Sequence, residues 1–208
     1  MSYYLVAVSK LFQLLYPSLV WKRQTNKPII YLTFDDGPTP EVTDWVLGIL
    51  DKHQIPATFF CIGKNILEQQ ELFNRILERG HQVGNHTQNH INGWKNSSKA
   101  YLEDVLEASK HIPKSQGKIF RPPYGRIKSS QIQALKKEGY EIIMWTALSA
   151  DWDQKVSPKD CIKNCLRHSK PGAILVFHDS IKAKRNLSES LESVIVKLKE
   201  EGYRFGLL

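Results

Sequence analysis

Short β-prone runs that alternate with helical patterns from Ile29 onward constrain this 208-residue chain more than any other feature. The runs are Ile29–Phe34, Ala57–Ile62, Gln82–Asn85, Lys118–Phe120, Glu141–Ala147, Ala173–His178 and Tyr203–Phe205. Between them, apolar residues recur at three- and four-residue intervals near Glu41–Lys52, Ile66–Arg79, Lys99–His111, Ser129–Glu138, Pro158–Arg167 and Leu187–Glu200. That period is the mark of helices with one buried face. Gly80, Gly139 and Gly202 each end a helical run just before a strand, as helix C-caps do. Regular βα alternation calls for parallel strands covered by helices, in an open doubly wound sheet or a barrel. No repeat or low-complexity linker interrupts the pattern, and 41% hydrophobic content suits one domain with a sizeable core.

The segment before Ile29 has a different pattern. Tyr4, Leu5, Val8, Leu11, Phe12, Leu15, Tyr16 and Leu19 share one side at helical spacing, with Lys10 and Gln13 on the other. The spacing predicts an amphipathic helix over residues 1–25 that packs on the main domain of residues 26–208. Membrane association through the same apolar face is the competing reading. No basic stretch precedes the run and no small-residue cleavage site follows it, so a cleavable signal peptide is not expected. The compartment stays open between cell envelope and cytoplasm. Cys61, Cys161 and Cys165 are odd in number and lack a partner motif, so all three are expected to be reduced and buried. The net charge of +8 favours anionic partners, but the basic residues are scattered and no nucleic-acid motif accompanies them. No nucleic-acid partner is expected, and a monomer is favoured.

In parallel α/β folds the reactive groups gather at the C-terminal ends of strands. The first run ends in Asp35-Asp36-Gly37-Pro38, the third in Asn85-His86-Thr87-Gln88-Asn89-His90 and the fourth in Arg121-Pro122-Pro123-Tyr124-Gly125. The fifth leads to Ser149-Ala150-Asp151-Trp152, and the sixth closes on His178-Asp179. A turn needs one Asp, not two. Adjacent carboxylates at the mouth of a buried strand repel unless a cation sits among them. His86 and His90 are four apart, so one helical turn would aim both imidazoles the same way. Two imidazoles plus a carboxylate make a divalent-metal site with room for water and substrate. His53, His81, His111 and His168 lack partner motifs and are read as structural.

TFDDGP (Thr33–Pro38), NHTQNH (Asn85–His90), FRPPYG (Phe120–Gly125), Asp151-Trp152 and ILVFHD (Ile174–Asp179) resemble the five ordered motifs of the NodB-type polysaccharide deacetylases. These are metal-dependent carbohydrate esterases acting on acetylated glycans. The resemblance implies an α/β fold of the distorted (β/α)7 barrel type. It also implies one divalent metal ion, Zn2+ with Co2+ or Ni2+ as alternatives, held by Asp36, His86 and His90. By the same resemblance Asp35 is the general base, Arg121 its orienting cation, His178 the general acid and Asp151 the partner that raises the acid's pKa. Pro123 and Tyr124 belong to the substrate-binding turn, whose Tyr124 N–H faces the oxyanion. Trp152 and Val176 wall the acetyl pocket. Two positions depart from the pattern: Leu148 stands where the fourth motif usually adds an Asp, and Val176 where the fifth often has Leu. Both are expected to tune groove shape, not competence.

The substrate expected from the resemblance is an N-acetylated glycan, chitooligosaccharide or peptidoglycan. Acetylated xylan or a small amide on the same site, and a non-catalytic carbohydrate-binding barrel, are the alternatives. The basic run Lys182-Ala183-Lys184-Arg185 offers a second place where an anionic polymer could be attracted.

Overall fold

The computed structural model describes residues 6–7 and 10–208, with side chains of the first helix described from Gln13 onward. Eight strands form one parallel system: β1 (Ile29–Asp35), β2 (Thr58–Cys61), β3 (Gln82–Asn85), β4 (Ile119–Phe120), β5 (Glu141–Ile142), β6 (Ala147–Leu148), β7 (Ile174–His178) and β8 (Arg204–Phe205). The order across the sheet is β5-β4-β3-β2-β1-β7-β6, and β8 runs beside the start of β1. Around it lie α1 (Lys10–Leu15), α2 (Val42–His53), α3 (Gly63–Glu68), α4 (Gln70–Glu78), α5 (Ser98–Ser109), α6 (Ser129–Lys137), α7 (Pro158–Leu166) and α8 (Lys184–Glu200).

The expected strand Glu141–Ala147 is two strands, and they are the two edges of the sheet. β5 pairs with β4 at one edge and β6 with β7 at the other. Ile142 and Ala147 are five residues apart, so the edges lie within about 18 Å of each other. The sheet is therefore curled into a barrel with a seam at residues 143–146, which meets the distorted (β/α)7 expectation. The chain bridges the gap between the two edges while its backbone groups find other partners. Val20 bonds across the seam, accepting from Met144 N (2.7 Å) and donating to Ile142 O (2.9 Å). Ala7 bridges to Ala147, and Lys22 to Ala173.

Among its described residues the N-terminal segment is less helical than its pattern suggested. Of the expected helix, Tyr4, Leu5 and Val8 lie outside the described residues. The described helix is only Lys10–Leu15, after which Leu19 and Trp21 are buried against the seam side of the core. The Ile66–Arg79 pattern also divides, into α3 and α4, at Gln69 (φ −130°, ψ 47°). No helix among the described residues is long and apolar enough to cross a membrane.

Strand alternation sorts side chains into two environments. On β1, Ile30, Leu32 and Phe34 face outward into the layer packed under α2, α4 and α8. Tyr31, Thr33 and Asp35 face the barrel interior. On β7, Leu175 and Phe177 join the outer layer, whereas Ile174, Val176 and His178 point inside beside Tyr31, Thr33 and Asp35, their register partners. Phe60, Ile119, Ile143 and Ile174 fill the barrel's lower interior, with Val20 and Leu208 against them. The buried Thr58 hydroxyl, bonded to Gln82 and to the Leu208 N–H, lies at this level. All three cysteines are free and buried, as expected.

Candidate active site

The register of β1 and β7 sets Asp35 directly beside His178 at the top of the barrel. Each is half of a buried ion pair. Arg121, fully buried after β4, donates through Nη1 to Asp35 Oδ1 at 2.7 Å and to Thr33 Oγ1 at 2.7 Å. Its Nη2 donates to Met144 O (3.0 Å) and its Nε to Ile143 O (3.4 Å). The guanidinium also lies 4.1 Å from the Phe60 ring centroid. One arginine therefore fixes Asp35 and satisfies two carbonyls freed by the seam.

The second pair is Asp151 and His178. Asp151 Oδ2 accepts from His178 N (2.8 Å), and Oδ1 lies 2.9 Å from His178 Nδ1. Burial alone would lower the His178 pKa, but the Asp151 carboxylate, assisted by Asp36 and Asp35, raises it to about 9. This is the direction expected for a proton donor. Trp152 packs edge-on against the imidazole with ring centroids 4.5 Å apart. Val176 lies one layer below His178 on the same face of β7. Its register partner on β6 is Leu148, so the two departures from the motif pattern are neighbours and form one apolar patch.

Between the pairs stand Asp36, His86 and His90, whose ligand atoms all lie within 4.8 Å of one another. Asp36 Oδ1 is 3.2 Å from His90 Nε2 and 3.7 Å from His86 Nε2. His86 Nδ1 donates to Arg121 O at 2.8 Å, which leaves the Nε2 lone pair free to ligate. Burial pushes His86 down to about 4, so it is neutral at neutral pH. Burial acts to raise Asp36, yet the His90 hydrogen bond and the charge of His178 hold it well below the usual carboxylate range. A neutral imidazole and an ionised carboxylate are the forms a divalent ion binds. The residues fit a metal ion.

His86 and His90 are not on a helical turn. The segment after β3 is a loop in which Thr87 (φ 67°) and His90 (φ 53°) are left-handed. Asp36 (φ 85°), Tyr124 (φ 60°) and Ala150 (φ 66°) are left-handed as well. Such residues cost about 1–3 kcal/mol each and persist only where surroundings hold them. Here the restraints are visible. Asn65 Nδ2 donates to Asp36 O at 2.7 Å, and Asn85 Oδ1 accepts from Thr87 N at 2.8 Å. The Asp104 carboxylate on α5 accepts from Gln88 N (2.8 Å), Asn89 N (3.1 Å) and Asn89 Nδ2 (2.7 Å).

Sequence reasoning overlooked these supports and also Asp179. The buried Asp179 carboxylate accepts from Gly37 N (3.0 Å) and from the Thr43 hydroxyl (2.6 Å), tying β7 to the loop that carries Asp36. Burial pushes its pKa up to about 7, against the pull of Thr43. A Cβ on Gly37 would sit 1.9 Å from Asp179 Oδ2, so glycine there is a matter of space. The adjacency of Asp179 to His178 was the available signal. Pro123 is buried in the turn whose exposed Tyr124 ring packs against His90, tilted at 54° with 4.6 Å between centroids.

A model of the polysaccharide deacetylases matches residues 22–143 of the chain. The chain belongs to the polysaccharide deacetylase family. Among its relatives in that family, a peptidoglycan-N-acetylglucosamine deacetylase of Bacillus cereus is 32% identical over 90% of this chain and 89% of its own length. A chitooligosaccharide deacetylase of a Bradyrhizobium species is 35% identical over 72% of this chain and 70% of its own. The crystal structure of a peptidoglycan N-acetylglucosamine deacetylase in complex with 4-naphthalen-1-yl-N-oxidanyl-benzamide superposes with a TM-score of 0.87. That match has 30% identity and covers 95% of this chain and 94% of the other. The curled parallel barrel and its helices are thus the fold of this deacetylase family.

Proposed function

We infer that the protein hydrolyses the acetamide of a 2-acetamido sugar within a glycan, chitooligosaccharide or peptidoglycan, and that its metal ion is Zn2+, with Co2+ or Ni2+ as substitutes. The observation that carries this reading is the metal-ligand triad set between an arginine-held carboxylate and a carboxylate-held imidazole. Asp36, His86 and His90 would hold the ion, which when bound supplies Lewis acidity to the amide carbonyl and to the attacking water. Asp35 Oδ2, the oxygen not bonded to Arg121, takes the proton of that water as its oxygen attacks the acetyl carbon. The Tyr124 N–H, aimed by the rigid Pro122-Pro123 turn, stabilises charge on the former carbonyl oxygen. His178 delivers its proton to the sugar nitrogen as the C–N bond breaks, giving acetate and a free amine. Trp152, with Val176 beneath it, excludes water from the methyl side. The named relatives act on the same two glycan classes, which supports the choice.

The test is acetate release from N-acetylglucosamine oligomers, peptidoglycan and acetylated xylan, with chelator and then with zinc or cobalt restored. Release from an N-acetylated glycan that stops with chelator and returns with metal is expected. Release from xylan alone would shift the reading to O-acetyl esters. Silence across the panel, with metal bound, would favour a small amide or a carbohydrate-binding role.

A further inference from the structure

Four residues beyond His90 the chain places Trp94 on the rim with 59% of its surface exposed, yet it is held firmly. Its N–H is bonded to Asn92 Oδ1 (3.0 Å) and its indole Nε1 donates to Ile127 O (3.3 Å). The preceding Gly93 donates to Arg126 O (3.2 Å) and accepts from the buried Gln131 side chain (2.8 Å). This knot locks the loop after the metal-binding histidines to the turn that carries Tyr124. The Arg126 guanidinium lies over the indole, 5.1 Å from the ring centroid. No carboxylate among the described residues lies within 4.0 Å of it, and its charge acts on the neighbouring Tyr124 hydroxyl. The basic run at 182–185 is less available, because Lys184 is engaged by Glu41 at 2.8 Å.

A rigid exposed indole suits the C–H face of a pyranose, and an uncompensated guanidinium suits a carboxylate in bidentate geometry. Arg126 is two residues from Tyr124, at most about 7 Å along the chain, so the pair sits beside the reacting sugar rather than across the protein. We propose that Trp94 and Arg126 form a subsite for a carboxylate-bearing sugar adjacent to the acetamido sugar that is cleaved. The subsite rests on the deacetylation reading above and adds its preference: acidic glycan strands over neutral ones. Trp94 carries the ring of the acidic sugar, and Arg126 reads its charge.

The test compares two oligosaccharides of equal length, one of neutral N-acetylglucosamine units and one in which free lactyl-ether carboxylates alternate with them. Arg126→Gln should raise KM about tenfold on the acidic oligomer and under about threefold on the neutral one, a difference of at least about 0.7 kcal/mol. Trp94→Ala should raise KM on both while sparing a monomeric acetamido sugar. Equal losses on the two oligomers from Arg126→Gln, or no loss on the acidic one from either variant, would overturn the subsite. Should Arg126→Gln fail to fold, the wild-type enzyme still decides: KM for the acidic oligomer must rise with salt and that for the neutral one must not. If the wild type releases acetate from neither oligomer, the deacetylation reading fails by itself. Calorimetric titration of the acidic oligomer into wild type and variants then decides the subsite separately, with binding weakened by either substitution expected and unchanged binding overturning it.

Discussion

The two buried ion pairs that flank the metal triad are built in opposite senses. In the Arg121–Asp35 pair the cation is the anchored member. Its nitrogens meet Thr33, Ile143 and Met144 as well as Asp35, its face meets Phe60, and none of it is exposed. In the Asp151–His178 pair the anchored member is the anion. Asp151 is fully buried, receives the His178 N–H, and has its own carbonyl held by Asn186 Nδ2 at 3.1 Å. Breaking a buried pair is costly and forming one is not greatly stabilising, so neither is explained by stability alone. Each fixes one charge in the barrel wall and turns its partner towards the rim. One presents a carboxylate and the other an imidazolium, the two forms that the proposed base and acid roles require.

The most severe way to break this symmetry is Asp35→Asn. Arg121 keeps a neutral oxygen to bond, so the fold and metal content should hold while kcat falls by about 10²–10⁴. Metal analysis alongside single-turnover acetate release checks both halves, and turnover within tenfold of wild type would remove Asp35 from the base role. Next in size is Arg121→Met, which strands Asp35 and orphans the carbonyls of Ile143 and Met144. A loss of about 3–5 kcal/mol in urea unfolding is expected. A loss below about 1 kcal/mol would mean that the seam does not depend on this guanidinium.

The members of both pairs could be located in the sequence because they stand at strand ends, where βα alternation puts reactive groups, and the family resemblance paired them. Asp151 and His178 lie on adjacent strands, whereas Arg121 and Asp35 are separated by β2 and β3. The seam could not be located in that way. Ile142-Ile143-Met144-Trp145 is as apolar as any continuous strand, and only the closure of the sheet makes it part. For the same reason Arg121 was expected to serve Asp35 alone, although two of its nitrogens serve the backbone of the seam. The spacing of His86 and His90 pointed to two imidazoles aimed at one place, and both do lie beside Asp36, but on a loop and not on the helical turn assigned to them. The pattern NHTQNH does not by itself announce left-handed Thr87 and His90, since residues with a Cβ adopt that conformation only when hydrogen bonds hold them there. The restraint comes from Asn85 and from Asp104, nineteen residues further on.

Asp151→Asn probes the second pair through pH. With Asp151 ionised, His178 stays protonated up to about 9, so activity that needs its proton should persist through neutrality and fall as pH rises through 9. The groups facing it are Asp151, Asp36 and Asp35. Without the Asp151 charge, burial pulls the imidazole downward, and the alkaline limb should move to lower pH. At pH 8 the expected loss is about tenfold to a hundredfold, with much of it recovered on acidification. The same pair contributes stability that is complete below about 6.5, the free imidazole value, and is lost as pH rises to 9. The variant should lack that slope. An unmoved alkaline limb would take the proton-donor role away from His178.

The smallest expected effect separates the anchors themselves. Thr33 Oγ1 accepts from the Arg121 guanidinium and donates to Leu175 O at 2.8 Å, so it orients a charged side chain. Ser149 Oγ accepts from the Asp151 backbone N–H, at a longer 3.3 Å. Thr33→Val and Ser149→Ala each remove one hydroxyl and should each cost about 1 kcal/mol in unfolding. Their effects on turnover should differ. Freeing one side of the guanidinium lets Asp35 rotate, so Thr33→Val should lower kcat several-fold with KM unchanged. Ser149→Ala leaves both Asp151 oxygens bonded to His178 and should leave kcat within about twofold. Equal kcat losses from the two variants would mean that the hydroxyls support only the fold, and that the pairs are oriented by their charges alone.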